Sequence, residues 1–153
     1  MTIDDIKYNK DGKLVWSRTK GRAIQGNEIG WVSKHGYREM QLDGKRKKVH
    51  HVVWFLHTGR WPTMLDHING NPLDNRIENL RTCSSQENAR NTSGWKNREL
   101  PRNVYSTKHN TYRAALWLDG KFKQLGTFAT IEEANKAATS AREVNYGAFS
   151  GNR

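Results

Sequence analysis

The chain of 153 residues is poor in cysteine, in proline and in acidic side chains. Cys83 stands alone, so no disulfide can form within the chain and a Cys-rich zinc site is excluded. No Cys-His motif accompanies it, and a small packed thiol is the expected role. No apolar run is long enough to span a bilayer. The N-terminus, Met1 to Lys10, lacks the apolar stretch of a signal peptide. An intracellular, non-secreted protein with no membrane partner is therefore expected. Acidic residues number 15 against 26 basic ones, for a formal net charge of +11 and an isoelectric point near 10.0. Residues 1–95 carry 16 basic and 10 acidic side chains, and residues 96–153 carry 10 and 5. Both halves are suited to a polyanion, and nucleic acid is the expected partner.

What the chain does have is concentrated in Leu65 to Asn91. Leu65-Asp66-His67 predicts a strand, and Gly70-Asn71-Pro72 predicts that it ends soon. A second short strand near Leu80 and a helix opening at Ser84 with Glu87, a capping-box pair, complete a strand, loop, strand, helix layout. Adjacent side chains in a strand point to opposite faces, so Asp66 and His67 are not a simple ligand pair. A carboxylate and an amide oxygen are hard ligands of the kind Mg2+ takes while keeping several waters. A neutral histidine beside such an ion can take a proton from water, and an asparagine could hold its ring in one tautomer.

These residues resemble the HNH nuclease family, and in particular its phage and intron homing endonucleases. The resemblance rests on Val49-His50, Asp66 through Asn71, Asp74 through Arg81, and Glu87 through Asn91. It implies a ββα-metal site with His67 as general base, Asn79 orienting His67, and Asp66 with Asn88 as metal ligands. It implies one divalent cation, Mg2+ with Mn2+ able to substitute, and no structural zinc. If the gene is phage-borne, the compartment is the cytoplasm of a bacterial host. Arg90 falls within the matched stretch as a DNA contact. His50 occupies a position where the family usually has histidine, and its role is packing, phosphate contact or part of the site. His51 stands where the family usually has arginine.

Upstream, Lys13 to Ser17 and Tyr37 to Leu42 predict strands, with Asp43-Gly44 a hairpin turn. Lys45, Arg46, Lys47 and Lys48 form a basic cluster expected on that turn, facing phosphate. Val49, Val52, Val53 and Leu56 recur at helical spacing, so Val49 to Thr58 predicts a helix closed by Gly59. Residues 92–100 have no periodicity and are expected to form a linker.

Downstream, strands are expected at Arg102–Ser106, Tyr112–Leu118 and Lys121–Phe128, with a turn at Asp119-Gly120. A helix follows from about Ile131 to Asn145, capped by Thr130 and Glu133. Asn103-Val104-Tyr105, Tyr112 through Leu116, Leu125 through Phe128, Glu132 through Ala138 and a tail reaching Asn152 resemble the Apetala, or ethylene-response-factor, DNA-binding domain. That family turns the outer face of its sheet to the major groove. The matching outward positions are Arg102, Arg113, Ala115, Trp117, Phe122 and Gln124. Lys123 stands where an inward apolar residue is usual, which leaves two readings: a shifted register, or a lysine whose head reaches water from the core rim.

The expected fold class is α+β: N-terminal strands and a ββα-metal motif, then a three-stranded antiparallel sheet on one helix. Residues 1–92 would form the nuclease domain, 93–100 the linker and 101–153 the DNA-binding domain. The function so implied is a homing-type endonuclease on double-stranded DNA, acting as a monomer with a dimer left open. The rivals are a DNA-binding regulator with an inactive nuclease half and a non-specific degradative nuclease.

Overall fold

Asp-Gly pairs punctuate both halves of the chain, and two of them become two-residue hairpin turns. Asp43 and Gly44 both have positive φ (50° and 73°), as do Asp119 and Gly120 (50° and 74°). Two consecutive left-handed residues match the right-handed twist of the strands they join. A computed structural model describes residues 1–91 and 99–151.

Strands β1 (Ile6–Tyr8) and β2 (Leu14–Trp16) form an antiparallel pair. Strands β3 (Trp31–Val32), β4 (Arg38–Leu42) and β5 (Lys45–Lys48) form a sheet in that order. The basic cluster is therefore a strand and not part of the turn, a correction to its expected place. Lysine and arginine are modest strand formers, but the tight Asp43-Gly44 turn leaves Lys45 to Lys48 opposite Leu42 to Glu39. Helix α1 spans Val49–Thr58, and Gly59 closes it in the left-handed region (φ 69°). Its Val49, Val52 and Val53 join Leu14, Met40 and Leu42 in one buried core, to which Ile6, Ile29 and Leu80 add. Truncating Leu14 there would cost about 2–5 kcal/mol.

Strands β6 (Leu65–His67) and β7 (Leu80–Thr82) pair with Asp66 opposite Arg81 and His67 opposite Leu80. The expected strand, loop, strand layout is present, with helix α2 (Ser85–Arg90) after it.

The chain divides into two units, Met1–Ser84 and Ser85–Arg153. The boundary falls ahead of the expected linker, so α2 groups with the second unit. Residues 92–98 of that linker, and Asn152 of the expected tail, lie outside the described residues. In the second unit β8 (Val104–Ser106), β9 (Tyr112–Leu118) and β10 (Lys121–Phe128) form an antiparallel sheet with β9 central. Helix α3 (Ile131–Tyr146) carries the capping box: Glu133 N donates to Thr130 Oγ1 (3.2 Å) and Thr130 N to Glu133 Oε2 (3.3 Å). Ala134 and Ala138 are fully buried against Val104 and Ala114. Small side chains on this face let the helix approach the sheet closely.

Lys123 pairs with Leu116 in unbroken register, and the irregularity comes later, between Gln124 and Gly126. The second of the two readings of Lys123 therefore holds, an exposed lysine on the helix side of the sheet.

Candidate active site and nucleic-acid surfaces

His67 ends β6 and is only 6% exposed. Its Nε2 donates to Asn75 Oδ1 at 3.1 Å. A carbonyl oxygen only accepts, so Nε2 carries the hydrogen and Nδ1 keeps the lone pair. Rings wall the imidazole: His50 meets it edge-on, centroids 4.8 Å apart at 82°, and Tyr37 lies at 6.2 Å. Burial pushes the His67 pKa below the ordinary 6.5, against the opposing pull of Asn75 and the Asp66 carboxylate. The ring is thus neutral at physiological pH and able to accept a proton at Nδ1. His50 is 2% exposed, its Nδ1 has no hydrogen-bond partner, and burial holds its pKa down to about 2.

Asn79 does not meet His67 as expected. Its Nδ2 donates to Asn69 Oδ1 (3.0 Å) and to the Asp74 carbonyl (2.8 Å), and its Oδ1 accepts from Asn69 N (2.9 Å). It staples the two ends of the loop between β6 and β7, and the loop presents Asn75 to His67. The reason is position: Asn79 sits in a 3-10 turn (Ile77–Asn79) whose backbone already pairs with Ile68, so its amide spans the loop. Asp74 adds a salt bridge to Arg76 (2.8 Å) that, with its hydrogen bonds, holds the Asp74 pKa near 2. The N-terminal hairpin supports the same loop. Ile77 N donates to Tyr8 Oη (3.0 Å). Gly12 (φ 80°) presses so close that a Cβ there would sit 2.5 Å from Arg76 N and 2.9 Å from Asn75 C.

Asp66 is 8% exposed and its Oδ2 accepts from Arg81 Nε (2.9 Å) and Nη2 (2.7 Å), its partner across the strands. Asn88 is half-buried on α2 of the second unit. Among the described residues no three His, Cys, Asp or Glu side chains gather in a metal cluster. Mg2+ does not need one, since one or two carboxylates and water suffice. The buried Asp66 carboxylate fits such an ion as a hard oxygen donor, provided that it is shared with Arg81.

Residues 47–90 match the HNH endonuclease family. That stretch is similar to an HNH endonuclease domain. It contains Asp66, His67, Asn75, Asn79 and Asn88. A curated relative, an uncharacterised HNH endonuclease of Acanthamoeba polyphaga mimivirus, is 26% identical over 121 residues. The similarity covers 78% of this chain and 63% of that protein. No solved structure gave a match.

Basic side chains at and just before the start of the matched segment rest on aromatic rings. Lys48 lies 4.4 Å above Tyr37, the ring next to His67. Lys47 lies 4.6 Å above Trp61, which stacks on Phe55 of α1. Arg46 lies 5.8 Å above Trp31 and within 3.5 Å of Glu39. Lys45 is exposed.

In the second unit, Arg113, Trp117 and Phe122 share the sheet face turned away from α3. Trp117 is 60% exposed, and the Arg113 guanidinium lies 5.7 Å from the Tyr105 ring and 5.6 Å from the Phe122 ring, which themselves meet edge-to-face. The Arg113 Nε is buried and without a hydrogen-bond partner. Gln124 is exposed and contacts Thr127, and Ala115 is fully buried. Arg102 differs from its expected outward role. Its Nη1 donates to the Arg90 carbonyl (2.9 Å), and its own carbonyl accepts from Arg142 (2.9 Å). Asn75, Arg81 and Tyr37 are the site residues that sequence reasoning missed. Asn75 and Arg81 lie within the HNH motif itself, and the Asp66–Arg81 pairing becomes readable once the hairpin register is known.

Proposed function

We propose that the chain is a metal-dependent endonuclease of homing type that hydrolyses a phosphodiester of duplex DNA. The observation that carries this reading is the buried His67, held by Asn75 with Nδ1 left as the base, beside the Asp66 carboxylate and inside the HNH match. His67 takes the proton of the attacking water at Nδ1. Asn75 keeps the ring in that tautomer, and Asn79 keeps the loop that carries Asn75. Lys48, over Tyr37, contacts a phosphate next to the reacting one. Asp66 and Asn88 would hold one divalent ion, Mg2+ or Mn2+, which stabilises negative charge on the phosphate and the leaving oxygen. A 5′-phosphate and a 3′-hydroxyl are the expected ends, and a monomer with one such site would nick.

The second unit is proposed to grip duplex DNA through Arg113, Trp117 and Phe122, in the manner of the Apetala-type domain it resembles. An exposed Trp on the same sheet face as a cation packed beside two aromatic rings supports that role. One observation favours a second reading, a DNA-binding regulator with a silent nuclease half: Asp66 is already ion-paired with Arg81. Incubating the full chain with a genomic DNA library and Mg2+ separates the readings. EDTA-sensitive discrete products support the homing endonuclease, a smear supports a degradative nuclease, and binding without cleavage supports the regulator.

A further inference from the structure

The helix side of the C-terminal sheet holds a cavity of about 730 Å3 that shares only Phe122 with the outer face assigned to DNA. Its lining includes Arg90 from α2, Lys121 and Lys123 from β10, and Asn145 near the end of α3. We propose that this groove is a second nucleic-acid site, a seat for one backbone phosphate of the bound duplex, separate from the outer sheet face. The proposal rests on the DNA-binding reading given above.

Three observations carry it. First, the charge is unbalanced. Asp119 is the single acid in the lining, and among the described residues none of the three cations forms a salt bridge with a carboxylate. Second, Arg90 is held in place. Its guanidinium lies 4.9 Å from the Tyr146 ring centre, Tyr146 Oη donates to the Trp117 carbonyl (2.8 Å), and the Arg90 carbonyl is fixed by Arg102. A planar guanidinium laid on a ring keeps its N–H fork in plane for two phosphate oxygens. Third, the parity of β10 explains an otherwise odd residue. Lys121 and Lys123 alternate with Phe122, so both stand on the helix side, opposite Leu118 and Leu116. An apolar residue at 123 would extend the core, whereas lysine there adds a second ammonium to the groove. The groove and the outer face meet at the hairpin, where Phe122 lines the one and belongs to the other. A duplex on the outer face therefore has its flanking strand beside Lys121.

A backbone phosphate carries no base identity, so the groove adds affinity without sequence preference. The test uses the full chain with calcium in place of magnesium and labelled duplexes, one carrying a site cut in the genomic-library assay above and one random. Binding is measured by fluorescence anisotropy over a salt series for wild type, Lys121→Gln/Lys123→Gln and Arg90→Lys. The exposed lysines allow the double variant to fold, which a thermal melt verifies. The expected result is weaker binding of both duplexes by the same factor. The slope of log K against log salt should become shallower by about one for each phosphate that the variant no longer neutralises. Arg90→Lys, which keeps the charge but not the fork, should fall between wild type and the double variant. Unchanged affinity and slope in a double variant whose parent binds duplex would overturn the groove alone. A wild-type chain that binds neither duplex at low salt would overturn the DNA-binding reading, and the groove with it. Calorimetric titration with inorganic phosphate distinguishes the source. Submillimolar binding that survives saturation with duplex overturns the backbone assignment in favour of a free-anion site.

Discussion

His67 Nε2 and Asn75 Oδ1 lie 3.1 Å apart, and this hydrogen bond leaves Nδ1 as the ring nitrogen able to act as a base. His67→Ala should abolish cleavage and leave duplex affinity nearly unchanged, and a variant cutting at close to the wild-type rate refutes the base. Asn75→Ala should lower kcat by about 10–100-fold, the usual cost of removing a group that orients a functional histidine. The pH profile gives the sign. Burial lowers the His67 pKa, so cleavage should rise on a limb below pH 6.5 and be flat by neutrality. Asn75 opposes that shift, so its removal should move the limb lower still. A limb at 6.5 or above in wild type would contradict the burial argument.

Asn88→Ala should weaken the metal more than the DNA, because a site of two protein ligands and water depends on each ligand. Cleavage titrated with Mg2+ at fixed DNA should show a higher midpoint. If midpoint and maximum both stay put, Asn88 is outside the metal shell.

Arg81→Ala leaves the buried Asp66 carboxylate without its cross-strand partner. Removing one member of a buried pair costs about 3–5 kcal/mol. The melting temperature should drop, and added Mg2+ should recover more of it than it adds to wild type, since the ion takes over as counter-charge. Equal Mg2+ stabilisation of the two proteins would mean that Asp66 does not see the metal.

Acid should destabilise this protein early. The folded pKa of His50 is depressed to about 2, while the unfolded chain protonates near 6.5. The unfolded state therefore binds one more proton than the folded state below pH 6.5, which removes about 1.4 kcal/mol per pH unit. Asp5 and Asp74, lowered from 3.8 to about 2, add to the decline only below pH 4. Urea melts should show stability declining from pH 6.5 downward, and His50→Phe should make the curve between 6.5 and 4 shallower, with the lowered pKa of His67 and His51 supplying the remaining slope. An equally steep curve in the variant would assign the effect elsewhere.

The C-terminal piece should be cut at residue 85 and not at 99. Arg90 stacks on Tyr146 and receives the Arg102 hydrogen bond, so α2 is part of what holds that unit together. Residues 85–153 should melt higher than residues 99–153, and equal melting would show that α2 adds nothing.

Regular elements were legible wherever local chemistry and packing agreed. The Val49, Val52 and Val53 spacing and the Gly59 stop located α1, and Thr130 with Glu133 located the start of α3. The Lys45–Lys48 strand was not legible as a strand, because its residues favour water and only the turn and the sheet impose extension. The asparagine that holds His67 was legible to the residue type but not to the number. Asn75 and Asn79 both flank the loop, and which one reaches His67 depends on how the loop folds back, which spacing does not encode. Arg102 was misplaced for a different reason: the resemblance to the Apetala-type domain put it on the outer face, but it precedes β8 and its guanidinium turns to the Arg90 carbonyl.

The family match begins at residue 47, yet the surface that braces the loop carrying Asn75 begins at Tyr8 and Gly12. The HNH segment is therefore not a portable cassette. Spliced into another protein from residue 47 onward, it would arrive without the surface that presses Asn75 against His67.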